Sequence, residues 1–243
     1  MVSERVLRRR APRWSVCLTR EQEQLLAEYA RRWPELRSAL RRLAPTASLS
    51  FPLLVDIDVT QAVGGLLIVG QETKGWGDGD LSLDVETLPV TKLLGYYAEW
   101  TADSYSSPFW NAVKALHGAM NLGPFPKGLA WTNVFKLDEE GGPPTDRVAD
   151  CLRNAFNLLP FELSVIRPRA VVLFTGRYDS HLSRMLEGMR FENVPGFSSA
   201  ECSLVRHELL PKFSFRTYHP GFLRRSGRWR VIQHVAEQLV CPA

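Results

Sequence analysis

The sequence has no long hydrophobic run. Apolar stretches such as Ala170 to Phe174 fall far short of the roughly 20 residues that a bilayer-crossing helix needs. This argues against a transmembrane helix and predicts no membrane partner. Cysteine is sparse and scattered: Cys17, Cys151, Cys202 and Cys241 form no C-x-x-C pair. That speaks against a zinc ribbon, a redox motif or a disulfide framework and predicts free thiols. The charged start, MVSERVLRRRAPRW, lacks a following apolar stretch. No secretory signal is therefore expected, and a reducing cytoplasm is the expected setting. No histidine pair has metal-ligand spacing, since His117, His181, His207 and His234 stand alone. Asp78, Asp80 and Asp84 make only an incomplete calcium-loop pattern, so no metal is expected. Repeats and low-complexity tracts are missing too.

What remains is ordinary globular composition. The 243 residues are 45% hydrophobic and 23% charged, long enough to bury a core without staples. No internal boundary stands out, so residues 17–243 are expected to form a single domain after a basic arm over residues 1–16. Lys and Arg total 30 against 26 Asp and Glu, a mild excess of +4. Its distribution says more. Arg5, Arg8, Arg9, Arg10 and Arg13 load the arm, and Arg224, Arg225, Arg228 and Arg230 load a stretch near the C-terminus. Such clusters are the footprint of phosphate contacts, although a basic tail and a solvated helix start give the same pattern.

Thr19 and Gln22 have capping-box spacing, and Leu25, Leu26, Tyr29, Ala30 and Trp33 follow at helical intervals. Pro34 is placed to start a second helical piece through Leu43. Four apolar runs then read as buried strands: Gly65 to Gly70, Leu129 to Phe135, Ala170 to Gly176 and Ser214 to Tyr218. Helices are expected from Asp146 to Ile166 and from Gly227 to Leu239, with Cys202 to Leu210 a candidate for an extra strand. Trp76 to Asp84, rich in Gly and Asp, reads as a loop. Continuous apolar runs alternating with amphipathic helices predict a mostly parallel sheet covered on both faces. The expected fold is a three-layer α/β/α sandwich with a central, four-stranded sheet.

Each run ends in polar residues. The first ends in Gly70-Gln71-Glu72-Thr73, the second carries Asn133, the third ends in Thr175-Gly176-Arg177 and the fourth in Tyr218-His219-Pro220-Gly221. Parallel sheets bind ligands at the carboxyl ends of their strands. Glu72, Asn133, Arg177 and His219 are therefore expected around one crevice. A carboxylate, a carboxamide and an imidazole suit hydrolysis with recognition of a base.

In this order the motifs resemble the uracil-DNA glycosylase superfamily. Gly70-Gln71-Glu72-Thr73-Lys74 resembles its first motif, G-Q-D-P-Y in the best-known branch, with Glu72 at the position of the water-activating Asp. Trp131-Thr132-Asn133-Val134-Phe135-Lys136 resembles T-N-V-V-K of the thermophile-type branch, whose Asn reads the base edge. The run from Ile166 to Gly176 resembles the strand before the last motif. His219-Pro220-Gly221-Phe222-Leu223 resembles H-P-S-P-L, whose His contacts the departing base and whose Leu wedges into the DNA stack.

The resemblance, spanning roughly Gly65 to Arg230, implies a monofunctional DNA N-glycosylase acting on a flipped pyrimidine. Glu72 and His219 would be catalytic. Gln71, Asn133, Lys74, Trp76 and Phe109 would surround the base, with Trp110 a further candidate for the stacking ring. Leu223, Arg224, Arg225, Arg228 and Arg177 would engage DNA, single- or double-stranded. No cofactor is expected, because the cysteines do not match the iron–sulfur spacing of the thermophile-type branch. A monomer is expected. The chain departs from the pattern at Thr73, which replaces a Pro, and at Lys74, which replaces a Tyr that excludes C5 substituents. Uracil and a C5-modified cytosine, such as the glucosylated bases of phage DNA, are thus both candidate substrates, with repair or antiviral defence as the setting. The alternatives are a non-catalytic nucleic-acid-binding relative and a nucleotide-binding protein. Gly70 to Gly79 lacks both the Walker and the G-x-G-x-x-G patterns that the last would need.

Overall fold

A computed structural model describes residues 18–43, 48–77, 79–81, 87–101 and 106–240. The basic arm over 1–16, Cys17, Cys241, Asp78 and Asp84 lie outside the described residues. No helix among the described residues is long and apolar enough to cross a membrane.

The first helix, α1 (Arg20–Leu43), is one piece with Pro34 inside it. The expected restart at Pro34 does not occur. Leu25, Tyr29, Trp33, Leu36 and Leu40 are all buried, and packing on both sides of Pro34 outweighs the lost backbone donor. The capping box is half formed. The Gln22 amide donates to Thr19 Oγ1 at 3.2 Å, but the Gln22 side chain accepts from the Ile57 amide at 2.9 Å instead of reaching back. Asp58 takes the Thr19 amide at 3.0 Å. The short helix α2 (Ile57–Thr60) is thereby tied to the start of α1.

The strands are β1 (Leu66–Gly70), β2 (Leu129–Asn133), β3 (Ala170–Leu173), β4 (Arg190–Asn193), β5 (Cys202–Arg206) and β6 (Phe213–Thr217). They form one sheet in the order β2-β1-β3-β6-β5-β4. The four expected strands are contiguous and parallel. The sheet is nonetheless six-stranded rather than four-stranded, because an antiparallel hairpin, β4–β5, extends it beyond β6. β5 falls within the stretch named as a candidate extra strand. β4 reads Arg-Phe-Glu-Asn and is mostly exposed, so it carries no apolar run. β1 and β3 are buried along their whole length, as strands covered on both faces must be.

The remaining helices are α3 (Val90–Thr101), α4 (Pro108–Ala119), α5 (Asp146–Ala155), α6 (Leu159–Ile166), α7 (Asp179–Met185), α8 (Pro220–Arg225) and α9 (Arg230–Leu239). α5 and α6 replace the single helix expected from Asp146 to Ile166. Pro160 has no amide to donate to Phe156, so the helix breaks and restarts. The helices fall into two contacting groups: α1 packs with α2, α3, α5 and α6, and α4 packs with α8 and α9. A buried charge pair locks the first group to the sheet. Lys136 Nζ lies 2.5 Å from Glu162 Oε2 on α6, with neither side chain more than 2% exposed. Thr132 on β2 and Tyr29 on α1 donate to the same carboxylate at 2.8 and 3.1 Å.

Candidate active site

The parallel register sets Gly70 level with Asn133 and Val69 level with Leu173, while Leu173 pairs with Arg216. The carboxyl ends of β1, β2, β3 and β6 therefore adjoin, and the polar residues after each strand share one edge. Gln71 ties two of these ends together, its Nε2 donating to the Thr175 carbonyl at 3.1 Å.

Glu72 follows directly and is half-buried. Tyr178, on the 3-10 turn Gly176–Tyr178, donates its hydroxyl to Glu72 Oε2. Burial raises the Glu72 pKa above its ordinary value; the Tyr178 hydrogen bond and the Arg177 charge oppose the rise, and Asp138 adds to it. The loop beyond is anchored by Asp138, which accepts from Thr73 Oγ1 and from the Gly75 amide, each at 2.7 Å. Thr73 is thus a buried anchor. Lys74 beside it is exposed.

Asn133 ends β2 and is 1% exposed. Its Oδ1 accepts from Trp131 Nε1 at 3.2 Å, while its Nδ2 is buried without a partner among the described residues. An unpaired buried donor costs about 1–3 kcal/mol, so this amide keeps one hydrogen-bond donor unused. Gly70 makes room for it: a Cβ there would stand 2.2 Å from Asn133 Oδ1.

Aromatic rings connect Asn133 to the fourth strand end. Trp131 lies edge-on to Trp76 at 5.4 Å and to Phe109 at 6.0 Å between centroids. Phe109 in turn stacks on His219, with centroids 5.7 Å apart and planes 20° apart. Of the three candidate stacking rings, Phe109 is thus the one facing the imidazole. Trp110 is buried against Trp100 and Trp131. Ser107 caps α4 by accepting from the Trp110 amide at 3.3 Å, and Pro108 opens the helix, which fixes Phe109 in its first turn.

His219 caps α8. Its Nδ1 accepts from the Gly221 amide at 3.1 Å, and burial together with the Arg225 charge lowers its pKa. A neutral imidazole that accepts at Nδ1 carries its proton on Nε2, so the other nitrogen is a donor.

Leu223 does not face outward as a wedge would. It is 0% exposed, because the short helix α8 turns it into the core. Its neighbour Phe222 is 38% exposed. That ring packs on Tyr218, with centroids 4.8 Å apart, under the Arg228 guanidinium. Arg177, Arg224, Arg225 and Arg228 are all exposed, and Arg228 also pairs with Glu201 at 3.1 Å. Reading the sequence missed Tyr178 and Phe222. Tyr178 belongs to no motif, although it lies two residues past the glycine that closes the third apolar run.

No protein-family model matches the chain, and no curated protein matches its sequence. Among the described residues, no group of three or more His, Cys, Asp and Glu side chains forms a candidate metal site.

Proposed function

We propose that the protein is a monofunctional DNA glycosylase that hydrolyses the N-glycosidic bond of a flipped-out pyrimidine and leaves an abasic site. The observation that carries this reading is the pairing, at one sheet edge, of a half-buried carboxylate with a buried amide donor and a neutral imidazole donor: Glu72, Asn133 and His219. The arrangement matches the roles implied by the superfamily resemblance. Under this reading the fold is a three-layer α/β/α sandwich, with the α1 and α9 groups covering opposite faces of the sheet, and the protein is a cytoplasmic monomer.

The chemistry follows from where charge develops. As the bond between C1′ and the base breaks, its electron pair leaves with the base and the sugar becomes cationic. The Glu72 carboxylate stabilises that cation and orients a water molecule. The water oxygen bonds to C1′ and its proton passes to the carboxylate. His219 Nε2–H donates to the base oxygen that gains negative charge. Asn133 Nδ2 donates to an acceptor on the base edge, and Phe109 supplies an apolar face beside it. Extruding the base costs a few kcal/mol. The outward ring of Phe222 and the phosphate contacts of Arg177, Arg224, Arg225 and Arg228 offset that cost.

The substrate is uracil or a cytosine carrying a polar C5 group. Lys74, exposed where one branch of the superfamily has a blocking Tyr, favours tolerance of such a group, because a flexible ammonium stem swings aside and hydrogen-bonds hydroxyls. Action on glucosylated cytosine in a bacterial cell would make the enzyme an antiviral defence; action on uracil would make it a repair enzyme. Base release from oligonucleotides of both kinds tests the reading. DNA binding without release of any base would replace it with a non-catalytic binding role.

A further inference from the structure

We propose that Tyr178 is a positioning residue that clamps Glu72, fixing one carboxylate oxygen so that the other is presented to the attacking water. The proposal rests on the glycosylase reading for its catalytic consequence, and on the observed contact for the clamp itself.

The phenol is rigidly placed. Its ring is 5% exposed and is held edge-on by Phe135 and by His181, each at 5.5 Å between centroids. Gly176, two residues before it, adopts φ +46°, and a Cβ there would lie 2.9 Å from the Tyr218 ring. The turn therefore needs glycine at this position. The Thr175 carbonyl accepts both from the Tyr178 amide at 3.0 Å and from Gln71 Nε2 at 3.1 Å. One backbone oxygen thus ties the residue before Glu72 to the residue that holds its side chain.

The length of the side chain supplies the reason for a clamp. Glu72 is a glutamate, one methylene longer than an aspartate. The extra methylene adds a rotatable bond, and a catalytic group gains most when its orientation is settled before substrate arrives. Tyr178 settles it by donating to Oε2. The charged and titratable groups that bear on Glu72 are Tyr178, Arg177 and Asp138. Arg177 is exposed, with its guanidinium over the Tyr178 ring at 5.9 Å from the centroid, and its charge acts on Tyr178 as well as on Glu72; Asp138 is engaged by Thr73, Gly75 and Gly141. Tyr178 is the neutral donor in direct contact. In the reaction it keeps its proton: the water proton goes to the free oxygen of Glu72, and the glycosidic electron pair leaves with the base.

The test uses the full chain with Tyr178→Phe, Glu72→Asp and the double variant. Tyr178→Phe removes one oxygen and leaves the packed ring. The Glu72 carboxyl is titrated by carbon NMR in the free protein, assigned by difference from Glu72→Gln, and base release is followed under single turnover. In Tyr178→Phe the carboxyl should titrate at higher pH. The maximal rate should fall roughly ten- to hundredfold, the worth of a charge-assisted hydrogen bond, with KM unchanged. In Glu72→Asp the shorter arm no longer reaches the phenol, so adding Tyr178→Phe should cost nothing further. An unchanged Glu72 titration in Tyr178→Phe would overturn the clamp. So would equal losses from Tyr178→Phe in the wild-type and Glu72→Asp backgrounds. A shifted titration in a wild-type protein that releases no base would overturn instead the glycosylase reading and Tyr178's part in catalysis.

Discussion

Gly70 and Asn133 meet where β1 and β2 end, so closely that a Cβ on Gly70 would stand 2.2 Å from Asn133 Oδ1. The glycine is required there by the neighbouring strand's amide and not by its own backbone angles. Gly70→Ala should push Asn133 out of place. Overpacking of this kind costs about 1–3 kcal/mol, which denaturant titration will read. Binding of the flipped base should weaken by more than the stability loss explains, seen as a raised KM for base release.

His219→Ala should slow base release by roughly two to three decades, the usual loss when one principal donor to a developing anion is removed. Burial holds the imidazole pKa below its ordinary 6.5. Its neutral form therefore predominates at pH 6.5, and no limb of the wild-type rate that depends on His219 should centre there. On the acid side the rate should fall as Glu72 takes up a proton, at a pH above the ordinary carboxylate value of 4.5, because burial raises its pKa. A limb centred at 6.5 that disappears in His219→Ala would contradict the neutral-donor role.

Phe222 and Leu223 should separate cleanly. Leu223→Ala empties a fully buried site and should cost about 2–5 kcal/mol of stability. Phe222→Ala should leave stability near normal. It should slow action on duplex more than on single strands, since only duplex demands unstacking. Equal effects on both strand types would remove the unstacking role from Phe222.

The Lys136–Glu162 pair should prove structural. Lys136→Met leaves a buried carboxylate without its cation and should cost about 3–5 kcal/mol. Lys136→Met with Glu162→Leu should recover part of that loss, and the comparison of unfolding midpoints decides it.

β1 and β3 were legible because each is a continuous apolar run, the mark of a strand covered on both faces; β2 and β6 carry a weaker signal, broken by Thr132 and by Ser214 and Arg216. The polar residues after those runs were legible for the same reason, since a parallel sheet places them at one edge. What escaped depends on partners distant in the chain. β4 has no apolar pattern and exists because β5 offers it an edge. The unbroken path of α1 through Pro34 is decided by the core beneath Trp33 and Leu36. Tyr178 stands 106 residues from the carboxylate it holds, and no local spacing announces that contact. The inward turn of Leu223 and outward turn of Phe222 follow from the phase of a six-residue helix, which motif matching alone does not give. The helices α3 and α4 went unread, although Ser107-Pro108 is a start signal visible in the sequence.

The most direct measurement is base release from an oligonucleotide panel containing uracil, 5-hydroxymethylcytosine and glucosylated cytosine, in single and double strands, with wild-type protein beside Glu72→Gln. Wild-type protein is predicted to release at least one of these bases and leave an abasic site, while Glu72→Gln still binds the DNA and loses most turnover. Intact DNA throughout the panel, or equal release by wild type and Glu72→Gln, would contradict the account.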